Sequence, residues 1–266
     1  MQQLDLFRDV PAPTEPPLSD EVTHPAIGSD SIEDEELLAA LPHAGLADSL
    51  ALAAEAGRRR MTVAVPVLEA LCRRFAGFGT ARIIPEQAAV IDALARIAGG
   101  DAAHALARLI AGRIIQGPGL QQAVAAAARL GAKLPTGTVL ELLRHDDPRV
   151  RTDACGLTRA SQEMLAQLRD LLDDLQRPVR MAAACALGLM GRDEVRPLLA
   201  SYLREDPSAQ LIDAVAPVAD EECVILLGRI ARTMPALSQA VLDALDEIDH
   251  PRAARIAADI RQKRPI

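Results

Sequence analysis

Five histidines are the first candidates for chemistry: His24, His43, His104, His145 and His250. A neutral imidazole can bind a metal or carry a proton. None of the five has a second His or a Cys at ligand spacing, and no His-Glu pair occurs. Three adjacent acid pairs, Asp146–Asp147, Asp173–Asp174 and Asp193–Glu194, could do general acid–base work or hold a divalent ion. Each pair falls where a turn is expected, and capping a helix start is the ordinary use of an acid there. Cys72, Cys155, Cys185 and Cys223 are widely spaced, without a C-x-x-C. They read as buried thiols in a reducing cytoplasm. Ser19, Ser29 and Ser31 have no triad partners. The glycine runs AGGD (98–101) and GPGL (117–120) lack the strand-before, helix-after setting of a phosphate loop. The expectation is no catalytic residue, no metal and no cofactor.

Charge is more informative. The net charge is −8, but it divides unevenly: −9 over residues 1–36, +5 over 37–133, −8 over 134–250 and +4 over 251–266. Such polarity bears on partner choice rather than on fold. The positive segment contains Arg58, Arg59, Arg60, Arg73, Arg74 and Arg82, with Arg108 and Arg113 further on. A cluster of this kind can neutralise phosphates, so nucleic acid is a candidate partner. The plainer readings are a solvated helix end or a docking place for the chain's own acidic tail. Base stacking is poorly provided for: Trp is absent, Tyr202 is the single Tyr, and Phe75 and Phe78 are the only Phe beyond the opening.

These residues must be held by helices. Half of the chain is apolar while aromatics make up 2%, and Ala and Leu supply most of the apolar content. Ala costs no side-chain entropy in a helix and lets neighbours approach closely. Residues 8–32, RDVPAPTEPPLSDEVTHPAIGSDSI, carry five prolines and many acids, which predicts a disordered segment over 1–32. From Glu33 to the end, apolar residues recur at helical spacing. The predicted helices are 33–41, 45–58, 61–76, 86–98, 101–114, 118–131, 135–145, 149–160, 163–175, 178–190, 194–204, 208–218, 221–232, 236–248 and 251–262. Residues 1–30 lack the basic start and apolar run of a signal peptide. The most apolar stretch, GLQQAVAAAARLGAKL, carries Gln121, Gln122, Arg129 and Lys133, so no membrane span is expected and the chain reads as cytoplasmic.

Three segments repeat one plan: LLRHDDPRVRTDACGL, LLDDLQRPVRMAAACALGLMG and LLASYLREDPSAQLIDAV. Each has a charged helix end, a short turn, a proline and a second helix. Alignment puts Val150, Val179 and Ala209 in one column, and Arg151, Arg180 and Gln210 in the next. Gln121 extends the second column upstream and Gln239 extends it downstream. This column predicts a polar ladder, whose commoner use is bonding between repeats and whose rarer use is ligand contact. Pro148, Pro178 and Pro207 can begin helices, with Asp147 and Asp206 as caps. One helical pair cannot bury its apolar face alone, but stacked pairs can.

Residues 177–191, RPVRMAAACALGLMG, resemble the HEAT-like repeat of the type named after phycobilisome lyases. Val179, Arg180, Ala183, Ala184, Ala186, Leu187, Gly188 and Gly191 carry the match. Asp147, Pro148, Val150, Arg151, Ala154 and Leu157 carry a partial one. The resemblance implies an all-α solenoid of about seven stacked HEAT-like hairpins over 33–266 and says little of chemistry. HEAT-repeat hydroxylases depend on His-Glu pairs. DNA glycosylases of similar build press aromatic side chains on the lesion. Neither pattern is met here, and nothing marks a bilin site.

The opening holds a second resemblance. QLDLF, residues Gln3, Leu4, Asp5, Leu6 and Phe7, is similar at all five positions to the pentapeptide by which bacterial replication and repair proteins bind the β sliding clamp. That resemblance implies polar contacts from Gln3 and apolar pockets filled by Leu6 and Phe7, with Leu4 assisting. Exposed Leu and Phe outside any core are available to a partner's groove. The functional expectation is a non-enzymatic scaffold with a protein partner, recruited to the clamp in DNA replication or repair. The alternatives are a lyase-like or maturation accessory factor, and a protein-binding module regulated by its acidic tail.

Overall fold

The computed structural model describes residues 32–78 and 80–263. Among them the chain forms fifteen α-helices and no strand. They are α1 (Asp34–Ala40), α2 (Leu46–Arg58), α3 (Val65–Arg73), α4 (Pro85–Ile97), α5 (Gly99–Ala111), α6 (Pro118–Arg129), α7 (Thr136–Leu143), α8 (Pro148–Cys155), α9 (Gln162–Asp170), α10 (Arg177–Leu189), α11 (Arg196–Glu205), α12 (Ala209–Val215), α13 (Glu221–Thr233), α14 (Ser238–Glu247) and α15 (Pro251–Lys263). None is long and apolar enough to cross a membrane. The opening pentapeptide lies outside the described residues.

The starts and stops follow local chemistry. Pro85, Pro118, Pro148 and Pro251 each occupy the first helical position, where the missing N–H is not needed. Asp147 accepts a hydrogen bond from the Arg149 N–H, and Asp220 from the Cys223 N–H, both at 2.9 Å. The third repeat departs from the expected plan. Pro207 does not begin α12; Ser208 caps it, accepting from the Leu211 N–H. Asp206 instead sits at the C-terminal end of α11. Ser208 has the extended backbone that a cap needs, so the helix starts one residue later than the proline frame suggests.

Within residues 33–266 the helices form two rows. The even-numbered helices α2 to α14 pack one on the next in an unbroken series. The odd-numbered helices form the second row, and each odd helix from α3 to α13 crosses the even helix that follows it. The odd row is looser: contact between α5 and α7, and between α9 and α11, is slight. A solenoid with one close-set and one wide-set row curves toward the close-set row, so the even helices line the concave side. Seven hairpins, α1–α2 to α13–α14, are followed by α15, which packs on both α13 and α14.

Small residues allow the even row its spacing. A Cβ on Gly57 of α2 would come within 2.8 Å of the Ala93 Cα of α4. A Cβ on Gly188 of α10 would collide with the Ala214 carbonyl of α12 and stand 2.7 Å from Leu199 Cδ1. Between the rows lies one continuous apolar layer, including the fully buried Leu68, Leu94, Leu106, Leu143, Leu168 and Leu187. This layer replaces the exposed apolar face that one hairpin would leave.

Candidate interaction surface

The arginines expected to form a basic surface fall into two groups. Arg58 and Arg59 close on Glu55, one turn earlier on α2. Arg58 donates to both carboxylate oxygens at 2.7 and 2.6 Å, Arg59 donates at 2.5 Å, and Arg59 also reaches Asp34 at 2.7 Å. Glu55 is buried. The arginine hydrogen bonds outweigh the cost of burial and hold its carboxyl at about 2. Glu69 of α3 plays the same part for Arg73 and for Arg108 of α5. Arg108 contributes most to keeping that carboxyl below its ordinary value.

Arg60, Arg74 and Arg82 make no ion pair with a described residue. Arg60 has φ of 53°, a left-handed backbone that favours glycine. It closes α2 through the Arg60 N–H to the Gly57 carbonyl and the Met61 N–H to the Ala56 carbonyl. The same closure ends α5 at Arg113, α6 at Gly131 and α10 at Gly191. Two of these four left-handed sites therefore carry arginine where glycine is cheaper. Arg113 pairs with Glu141 at 3.0 Å.

The polar ladder is used mostly between and within repeats. Gln121 of α6 donates to Asp153 of α8 at 2.7 Å. Burial is the larger influence on Asp153 and raises its carboxyl above the ordinary value. Arg151 of α8 grips Asp174, beside the next repeat, at 2.9 and 3.0 Å. It also donates to the His145 and Asp146 carbonyls at 2.7 and 3.0 Å. Arg180 repeats the backward reach, donating to the Asp174 and Leu175 carbonyls at 2.7 and 3.2 Å. Both arginines thus staple the turn that precedes their own helix. Gln239 bonds within its own helix to Asp243. Gln210 is exposed and lines a cleft.

That cleft, of about 390 Å³, opens on the concave row between α8 and α10. Its walls include Thr152, Cys155, Arg159, Cys185, Leu189 and Gln210. Leu189 is exposed, an apolar group presented on the inner surface. Burial pushes the Cys72 and Cys155 thiols up to about 12, and Cys185 and Cys223 up to about 11, which disfavours the thiolate. Several other candidates bond at turns or between neighbouring elements. His145 Nδ1 accepts from the Asp147 N–H, and His250 Nδ1 from the Arg252 N–H. Asp174 accepts from the Gln176 N–H, Asp193 pairs with Arg196, and Glu194 pairs with Arg169.

Glu55 and Glu69 were not singled out from sequence. Part of their signal is local, since Glu55–Arg59 and Glu69–Arg73 have helical i,i+4 spacing. Arg108 lies 39 residues from Glu69, and no spacing rule links them. The cleft also had no sequence signal, because its walls come from three helices and a connecting segment.

Residues 139–219, from within α7 to just past α12, match the family model for HEAT repeats. No curated protein matches the chain. The match lies on the segment where Arg151 and Arg180 staple successive turns, and the paired helices continue in both directions from it. In architecture this chain is an all-α solenoid whose central hairpins are similar to HEAT repeats.

Proposed function

We propose that this chain is a non-catalytic interaction scaffold recruited to the bacterial β sliding clamp through Gln3–Phe7. HEAT-like architecture supports the general role: stacked hairpins offer a long concave surface, and such surfaces bind macromolecules. The unbroken even row, with its cleft and exposed Leu189, provides that surface. The observation that carries the finer assignment is QLDLF, which matches the clamp-binding pentapeptide at every position. A short peptide with two apolar anchors binds with roughly micromolar affinity, about −8 kcal/mol.

The test is fluorescence anisotropy of a labelled peptide of residues 1–12, titrated with a bacterial sliding clamp. Saturable binding that disappears in a Gln3→Ala/Phe7→Ala peptide is the expected result. A flat titration to clamp concentrations of about tens of micromolar, well past that affinity, would remove the recruitment role.

A further inference from the structure

The connection between α3 and α4 is the longest between successive α-helices among the described residues. Its composition is unlike that of the other connections. No Asp or Glu occurs between Glu69 and Glu86, while Arg73, Arg74 and Arg82 fall there, together with two of the chain's three phenylalanines. Its base is fixed. The buried Gln87 of α4 donates to the Cys72, Phe75 and Ile114 carbonyls at 3.4, 3.3 and 3.1 Å. Phe75 is half-buried, and the Arg74 guanidinium lies 5.8 Å from its ring centre.

Beyond this base the described residues up to Ile83 face solvent. Phe78 is 62% exposed, its N–H bonded to the Phe75 carbonyl, and Ile83 is 52% exposed. Arg74 and Arg82 flank Phe78 in sequence and are exposed. The Arg74 guanidinium donates to the Pro42 carbonyl, and neither arginine pairs with a described carboxylate. This sets them apart from Arg58, Arg59, Arg73 and Arg108, whose charge is already met by buried glutamates.

We infer that Arg74, Phe78 and Arg82 bind single-stranded nucleic acid, with a base stacked on Phe78 and backbone phosphates on Arg74 and Arg82. An exposed phenyl ring with an exposed arginine four residues to either side, neither paired with a described carboxylate, has the parts of a strand-binding platform. The ring accepts the face of any base, and the cations take the phosphates on either side. Stacking and phosphate contacts of this kind are largely indifferent to base sequence. A lipid surface fits less well, since membrane-surface binding usually relies on a broad amphipathic helix and no described residue between Arg73 and Pro85 is helical. The inference deepens the proposed role at DNA and rests on that reading, but its test does not involve the clamp.

The experiment uses the full chain and anisotropy of a labelled oligothymidylate of about twenty nucleotides, with a duplex of equal length alongside. The single strand should bind more tightly than the duplex. Phe78→Ala should weaken it about tenfold, and Phe78→Trp should retain it. Arg74→Ala/Arg82→Ala should weaken it further and lower the slope of log affinity against log salt by about 1.4, two phosphates' worth. Because all three side chains are exposed, circular dichroism and Tm should be unchanged. Absence of binding overturns the site. So does binding that survives both variants, or binding equal on duplex and single strand with Phe78→Ala neutral. Preferential binding of phosphatidylglycerol vesicles or of poly-glutamate also overturns it. Gln3→Ala/Phe7→Ala in the full chain should leave oligothymidylate binding intact, so failure of clamp recruitment and failure of this site are read separately.

Discussion

In hairpins α2 to α5, four arginines converge on two buried carboxylates, Glu55 and Glu69. In α8 and α10, Arg151 and Arg180 turn back on the carbonyls five and six residues before them. The first arrangement joins elements: Arg59 links α2 to α1, and Arg108 links α5 to α3. The second shapes one turn and is copied from repeat to repeat. A local device can recur as a motif, and both of these arginines lie within 139–219, the residues that match the HEAT-repeat model. A device spread over several helices leaves no repeating signature, although it stabilises the same kind of stack.

The largest effect that separates the two regions should come from the glycines of the even row. Gly188→Ala drives a methyl into the Ala214 carbonyl and Leu199, and should cost about 3 kcal/mol. Gly57→Ala meets only the Ala93 backbone and side chain, and should cost about 2 kcal/mol. Urea midpoints of the two variants check the order. A reversed ranking would mean that the earlier hairpins are the more tightly set.

Next comes the turn staple. Arg151→Met keeps the stem but leaves Asp174, whose side chain is 9% exposed, without its cation and frees two carbonyls. The expected loss is about 2 kcal/mol. Hydrogen exchange should quicken first around α8 and the Asp173–Gln176 turn. Uniform loss of protection across all helices would contradict a local device.

Acid should then act on the carboxylate clusters. The Glu55 carboxyl lies at about 2 in the fold against an ordinary 4.5. Its contribution is therefore fully present above pH 4.5 and is lost as pH falls toward 2. With Arg58 well exposed to solvent, a contribution of about 1–2 kcal/mol is expected. Glu55→Gln should lower stability at pH 7 and flatten the decline between pH 4.5 and 2. An unchanged decline in that variant would place the acid sensitivity elsewhere.

The smallest effect compares like with like. Arg60 and Gly191 end their helices with the same hydrogen bonds and the same left-handed backbone. Arg60→Gly should raise stability by about 1 kcal/mol. Gly191→Arg should lower it by a similar amount, about 1 kcal/mol. A loss in Arg60→Gly would show that the arginine makes a contribution its backbone strain conceals.

Much of the fold was legible in the sequence. All fifteen helices stand in the expected order, because Ala- and Leu-rich periodicity and the prolines mark them locally. The ends were less legible. The helix expected over 149–160 stops at Cys155, where the Thr158 hydroxyl returns to the Cys155 carbonyl. The one expected over 61–76 begins at Val65, because Thr62–Ala64 form a 3-10 turn. At the surface, sequence located the arginines but not their partners. Whether a charge is neutralised depends on which helices meet, and Glu69 with Arg108 is decided by packing. Phe78 was set aside as too little aromatic content for stacking. The Gln87 anchor that fixes the base of its segment has no sequence signature.

The Glu69–Arg108 pair spans more sequence than any other ion pair described here, and it spans only 39 residues. The consequence lies in synthesis. As the chain leaves the ribosome, each cross-link can close once a few dozen further residues have emerged. The first hairpins can therefore be complete while the last are still untranslated.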